Sequence, residues 1–160
     1  MLGVCDAIVH RIPTLDDLRE SRSIVSMTDD EIPPEIGPHE GRELELMLAG
    51  KKPAAMFSDV VPASFEWPEE EFEPYVLSGE IIKREEVIKS SNGRWLPSRY
   101  VYYALPGEEA RIDRLSQINQ RLFGDGEKTT KDVESEIGRL LGYAEKDIQV
   151  YVRRFLQIEG

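Results

Sequence analysis

The sequence predicts an α+β fold: a small, mainly antiparallel sheet built on a central β-hairpin at residues 80–105 and covered by helices, among them a C-terminal three-helix segment. Three observations predict it. Asn92-Gly93 lies between two runs rich in β-branched and aromatic residues, Ile81 to Ile88 and Trp95 to Tyr103. Residues 54–58, AAMFS, form another short apolar run, bounded by Pro53 and Asp59, that suits a buried third strand. After Pro106-Gly107 the period changes, and apolar residues recur at helical spacing through the rest of the chain.

The 160 residues read as a single domain. Residues 1–38 are its irregular acidic part. Ala7, Ile8 and Val9 suit a short strand or an arm, and residues 23–27, SIVSM, a second short strand. Thr14 is an N-cap for a short helix to about Ser21, with Asp16 and Asp17 where the helix dipole favours carboxylates. The prolines of TDDEIPPEIGP, residues 28–38, make a loop. A sheet region over 39–105 follows. It opens with a helix over 39–49, carrying Leu44, Met47 and Leu48 as an apolar stripe and Gly50 as its C-terminal stop. Lys51-Lys52-Pro53 reads as a basic, helix-stopping end. After a loop from Asp59 to Pro68, a helix begins with Glu69, Glu70 and Glu71 in its first turn and Phe72, Tyr75 and Val76 facing inward. Pro74 predicts a kink or a 3₁₀ stretch there.

For the hairpin, a two-residue type I′ turn at Asn92-Gly93 sets Ser91 opposite Arg94. That register places Glu86 opposite Arg99, Glu85 opposite Tyr100 and Ile82 opposite Tyr103. Pro97 predicts an edge or bulged second strand, since it cannot donate to a ladder. The helical region over 107–158 holds three inward stripes. They are Ile112, Leu115, Ile118, Leu122 and Phe123; then Val133, Ile137, Leu140 and Leu141, capped by Thr129 or Thr130; then Ile148, Tyr151, Val152 and Phe155.

Charge is unevenly placed. Residues 1–80 carry 18 acidic and 6 basic side chains, and residues 81–160 carry 13 and 14, so the net charge of −11 belongs to the first half. Such a half is unsuited to nucleic acid or an anionic membrane and suits a basic protein partner. The plainer reading is a solvated face that promotes solubility. No run approaches the ~18 apolar residues of a membrane span. The start, MLGVCDAIVHR, lacks a secretory pattern, and the single cysteine, Cys5, excludes an internal disulfide, so cytoplasmic residence is the expectation. Cys5 has only His10 nearby as a base and reads as a packed thiol.

Four groups of residues could carry chemistry. Residues 136–152 resemble a helix-turn-helix in spacing: Gly138 is the small residue where two helices touch, Gly142 makes the turn, and Ile148 and Tyr151 face inward on the second helix. Its recognition face would offer Lys146, Arg153 and Arg154 beside Glu145 and Asp147. Residues 129–160 carry five basic and six acidic groups, which makes nucleic acid an unfavoured partner. His39, Glu40 and Glu43, at the start of a helix, could form an acid–base or metal site, since His39 and Glu43 are i, i+4 neighbours; no second histidine stands at ligand spacing. Glu66, Glu69, Glu70, Glu71 and Glu73, with Trp67, Phe72 and Tyr75 among them, have the content of an interface toward a basic partner. Arg94, Arg99, Tyr100 and Tyr102 have the composition, without the motif, of a phosphate or nucleotide pocket. No Walker loop, dinucleotide-binding glycine pattern, nucleophile elbow, paired C-x-x-C or EF-hand loop occurs, so no cofactor or metal is expected.

The functional expectation is an acidic cytoplasmic interaction protein that binds a basic protein surface, with homo-oligomerisation open. Immunity proteins, antitoxins and phage-borne inhibitors share this size and charge by analogy. The alternatives are a small enzyme centred on His39, Glu40 and Glu43, with Arg99 and Tyr102, and a transcriptional regulator using residues 129–157.

Overall fold

The structure, a computed structural model, describes residues 42–60, 68–93 and 95–155. Three strands form an antiparallel sheet: β1 (Ala54–Val60), β2 (Ile82–Ile88) and β3 (Ser98–Ala104), in the order β1-β3-β2. Helices α1 (Glu43–Leu48) and α2 (Glu69–Leu77) lie on one face. The other face carries α3 (Glu109–Asn119), a π turn at Gln120–Gly124 and α4 (Lys131–Leu140), and α5 (Glu145–Phe155) packs on α4. The α+β fold with a small antiparallel sheet on the hairpin is therefore correct. The two short strands and the helix expected within residues 1–38 lie outside the described residues.

β3 is the centre because strand alternation lets it bury both sides. Tyr100, Tyr102 and Ala104 point to the C-terminal helices, whereas Val101 and Tyr103 point to α1 and α2. On the second face Tyr103 stacks on Phe72, with centroids 4.0 Å apart, and both rings meet Phe57 edge-on at 5.7–5.9 Å. Each such pair contributes about 0.5–1.5 kcal/mol beyond its area. This trio anchors α2 to the sheet.

Two hairpin expectations are corrected. β3 is central, because Pro97 lies just before Ser98 and outside the ladder, where its missing N–H costs nothing. The register is also one residue different: Glu86 faces Tyr100, Val87 faces Arg99 and Ile82 faces Ala104. The connection runs from Lys89 to Pro97. The Gly93 N–H donates to the Ser90 carbonyl at 3.1 Å, so Gly93, at φ 65°, closes a turn rather than sharing its centre with Asn92. An odd-length connection changes the sum of partner numbers by one. Arg99 consequently meets Glu85 on the diagonal instead of Glu86 directly.

Pro74 sits within α2, and the helix still runs to Leu77. Thr130 caps α4 by accepting from the Val133 N–H at 3.2 Å. A Cβ on Gly138 would stand 2.8 Å from Ile148 Cγ1, so the small residue does permit the close α4–α5 approach. Gly142 is needed twice over: its φ is +83°, and a Cβ there would stand 2.5 Å from Pro53 Cδ. Beside it, Lys52 is wholly buried. Its Nζ donates to the Leu141 carbonyl at 2.5 Å and lies 4.8 Å from the Tyr143 ring centroid. Lys52 and Pro53 thus lock the entry of β1 against the α4–α5 turn.

Candidate functional site

α2 carries the acidic run on a two-sided helix. Phe72 is buried, with Tyr75 and Val76 partly buried beside it. Glu70, Glu73, Pro74 and Leu77 follow an i, i+3, i+4, i+7 stripe on the opposite side and are exposed, Leu77 at 78%. Glu71 is exposed beside them. Among the described residues no cation pairs with Glu70, Glu71 or Glu73.

Glu69 behaves differently. Its carboxylate accepts from Arg99 at 2.5 Å and from Lys83 at 2.7 Å, and Arg99 also reaches Glu85. The Arg99 hydrogen bond, with Lys83 adding to it against partial burial, pulls the Glu69 carboxyl down to about 2. Glu69 therefore fixes the start of α2 to β2 and β3, and its charge is spent inside the chain.

The opposite face of the sheet holds a polar row that the sequence reading did not anticipate. Asn119 Nδ2 donates to the Tyr102 hydroxyl at 3.0 Å, and Tyr102 donates to Glu86 Oε1 at 3.0 Å. The Ser116 hydroxyl donates to Glu86 Oε2 at 2.7 Å. Burial pushes the Tyr102 phenol well above its ordinary value. The row borders a cleft of about 350 Å³ between β2 and α3, bridged by the Arg84–Asp113 ion pair. Its residues come from β2, β3 and α3, far apart in sequence and without a motif, so only the strand register brings them together.

Glu43 opens α1 and is buried; His39 and Glu40 lie outside the described residues, as do Glu66 and Trp67. Among the described residues no group of three His, Cys, Asp or Glu is placed to hold a metal. Lys146 and Arg153 are exposed on α5, and the Arg154 side chain is outside the description. Glu145, beside Lys146 at the start of this helix, is paired with Arg139 at 2.7 Å. Arg99 and Tyr102 do not share a pocket: alternation puts them on opposite faces of β3. Tyr100 and Tyr102 are fully buried and stack on each other at 6.2 Å, leaving no ring free for a nucleobase. No described helix is long and apolar enough to cross a membrane.

No family model, curated protein or solved structure significantly matches the chain.

Proposed function

We infer that this chain is a protein-binding module whose α2 face docks on a basic surface of another protein. One observation supports the reading most: Glu70, Glu71 and Glu73 project into solvent without a cation among the described residues, next to a leucine exposed at 78%. Three uncompensated carboxylates are suited to steering a basic partner. Leu77, on the same stripe, supplies apolar area that a docked partner would bury. Anchorage of the inner side of α2 by Phe72 and Glu69 keeps this face preformed, which lowers the ordering cost of binding. Glu66 and Trp67 belong to the same acidic and aromatic run in sequence. The acidic first half of the chain and its size favour inhibitors of basic enzymes, such as immunity proteins and antitoxins, as the comparable class.

The test is capture from the native host's lysate on immobilised wild-type chain and on a Glu70→Gln, Glu71→Gln, Glu73→Gln variant, each at low and high salt. The expected result is one stoichiometric basic protein held by the wild type at low salt, lost at high salt and lost by the variant. Equal retention by both chains overturns the reading.

A further inference from the structure

The two outer strands of the sheet differ in how they are covered. In β1, Ala54 to Ser58 are all buried. β2 is open: Arg84, Glu85 and Val87 are exposed, and among the described residues nothing hydrogen-bonds to its outer backbone edge. An open edge is a template for another strand, and charges along it normally repel one. Here the order of the charges has a further property.

We propose that β2 pairs antiparallel with β2 of a second copy of this chain, joining two three-stranded sheets into one. Only a two-fold axis perpendicular to the sheet turns a strand antiparallel to its own copy, edge to edge, and that axis keeps each face on its own side. Facing residues must then share a face, so their numbers sum to an even value. With Glu85 on the axis, the column on the α3 side reads Ile82, Arg84, Glu86, Ile88 against Ile88, Glu86, Arg84, Ile82. Every cation meets an anion and every isoleucine an isoleucine, each a favourable cross-strand pair. A slip of two residues either way puts Arg84 on Arg84 or Glu86 on Glu86. The charges on this face therefore favour this register over the two adjacent ones.

The rest of the structure fits this register. Glu86 accepts from the neutral Tyr102 and Ser116 hydroxyls, and among the described residues no cation contacts it, so Arg84 of the second copy, bridging from its own Asp113, would supply a countercharge. The two Glu85 carboxylates that meet on the axis are each neutralised by Arg99 of their own chain. On that face Lys83 meets Val87, with Lys83 held by Glu69. Because the axis preserves faces, both α2 helices emerge on one side of the joined sheet, which makes the acidic surface bivalent.

Sedimentation velocity over a concentration series tests the pairing on the full chain. The expected result is a mass that rises to the dimer for the wild type, with Arg84→Glu weakening the dimer about tenfold or more by setting like charges opposite each other twice. A wild type monomeric at every concentration, or a dimer indifferent to Arg84→Glu, overturns the proposal. A second measurement does not depend on the stability of that variant. In a Cys5→Ser background, Glu85→Cys lies opposite itself and should form an intermolecular disulfide on mild oxidation, whereas Lys83→Cys should not. Equal crosslinking at the two positions, or none at Glu85→Cys, rejects this register.

Discussion

Tyr102 and Tyr103 are adjacent in β3, equally buried and identical in chemistry, yet removal of each hydroxyl should act in opposite directions. Tyr102 donates to the Glu86 carboxylate at 3.0 Å and accepts from Asn119 Nδ2 at 3.0 Å. Tyr102→Phe removes a hydrogen bond to a charged group, worth about 1.5–3 kcal/mol, and leaves the buried Asn119 amide with only a weak contact to the Met56 sulfur. We expect a loss of about 2–3 kcal/mol. The Tyr103 hydroxyl is buried with no hydrogen-bond partner among the described residues, while its ring stacks on Phe72 at 4.0 Å. Tyr103→Phe keeps the ring and removes a desolvated hydroxyl, so it should be neutral or stabilising by about 1 kcal/mol. Urea denaturation of the two variants, read at unchanged m-value, decides it. A loss above about 1 kcal/mol in Tyr103→Phe, or a neutral Tyr102→Phe, would refute the assignment of the polar row to one face and the apolar stack to the other.

Three further outcomes follow from the packing and the charges. Gly142→Ala forces a Cβ into the left-handed region and against Pro53 and should cost about 2–4 kcal/mol by thermal or chemical unfolding, whereas Gly126→Ala, also at positive φ but facing only the end of the Asn92 side chain at 3.8 Å, should cost about 1 kcal/mol. Gly138→Ala should lower stability by about 1–3 kcal/mol, and pairing it with Ile148→Val should recover part of that loss, because the two sites share one contact. Glu69 has its carboxyl depressed from an ordinary 4.5 to about 2, so its stabilisation is present above the unfolded value and is lost as pH falls through the folded one. The wild type should accordingly exceed Glu69→Gln by about 1–2 kcal/mol at neutral pH, after allowance for solvent screening, with the gap closing between about pH 4.5 and pH 2.

How far the sequence carried depended on whether a feature is local. The third strand at 54–58, the Thr130 cap, the glycine stops and the C-terminal stripes as far as Val152 were legible because periodicity, capping and positive φ are properties of a few adjacent residues. The hairpin was legible, but its register was not. Asn92-Gly93 fits both a two-residue loop and a longer odd-length one, and the loop observed also makes a contact remote in sequence, the Ser91 N–H donating to the Gly124 carbonyl at 2.8 Å. Lys52 looked like a basic helix terminus, and only the distant Leu141–Tyr143 turn makes it a buried plug. In the acidic run, composition alone could not separate Glu69, neutralised by Arg99 and Lys83, from Glu70, Glu71 and Glu73, which face solvent. The same register error hid the Glu86–Tyr102 contact, since it assigned Glu86 to Arg99 on the other face of the sheet.

The docking reading is tested most directly by calorimetric titration of the captured partner against the wild-type chain and the Glu70→Gln, Glu71→Gln, Glu73→Gln variant over a range of salt. Wild-type affinity should fall with salt, the variant should bind at least about tenfold more weakly at low salt, and its salt dependence should be flatter. Two titrations that superimpose at every salt concentration would contradict it and return the exposed face of α2 to the role of a solvated surface.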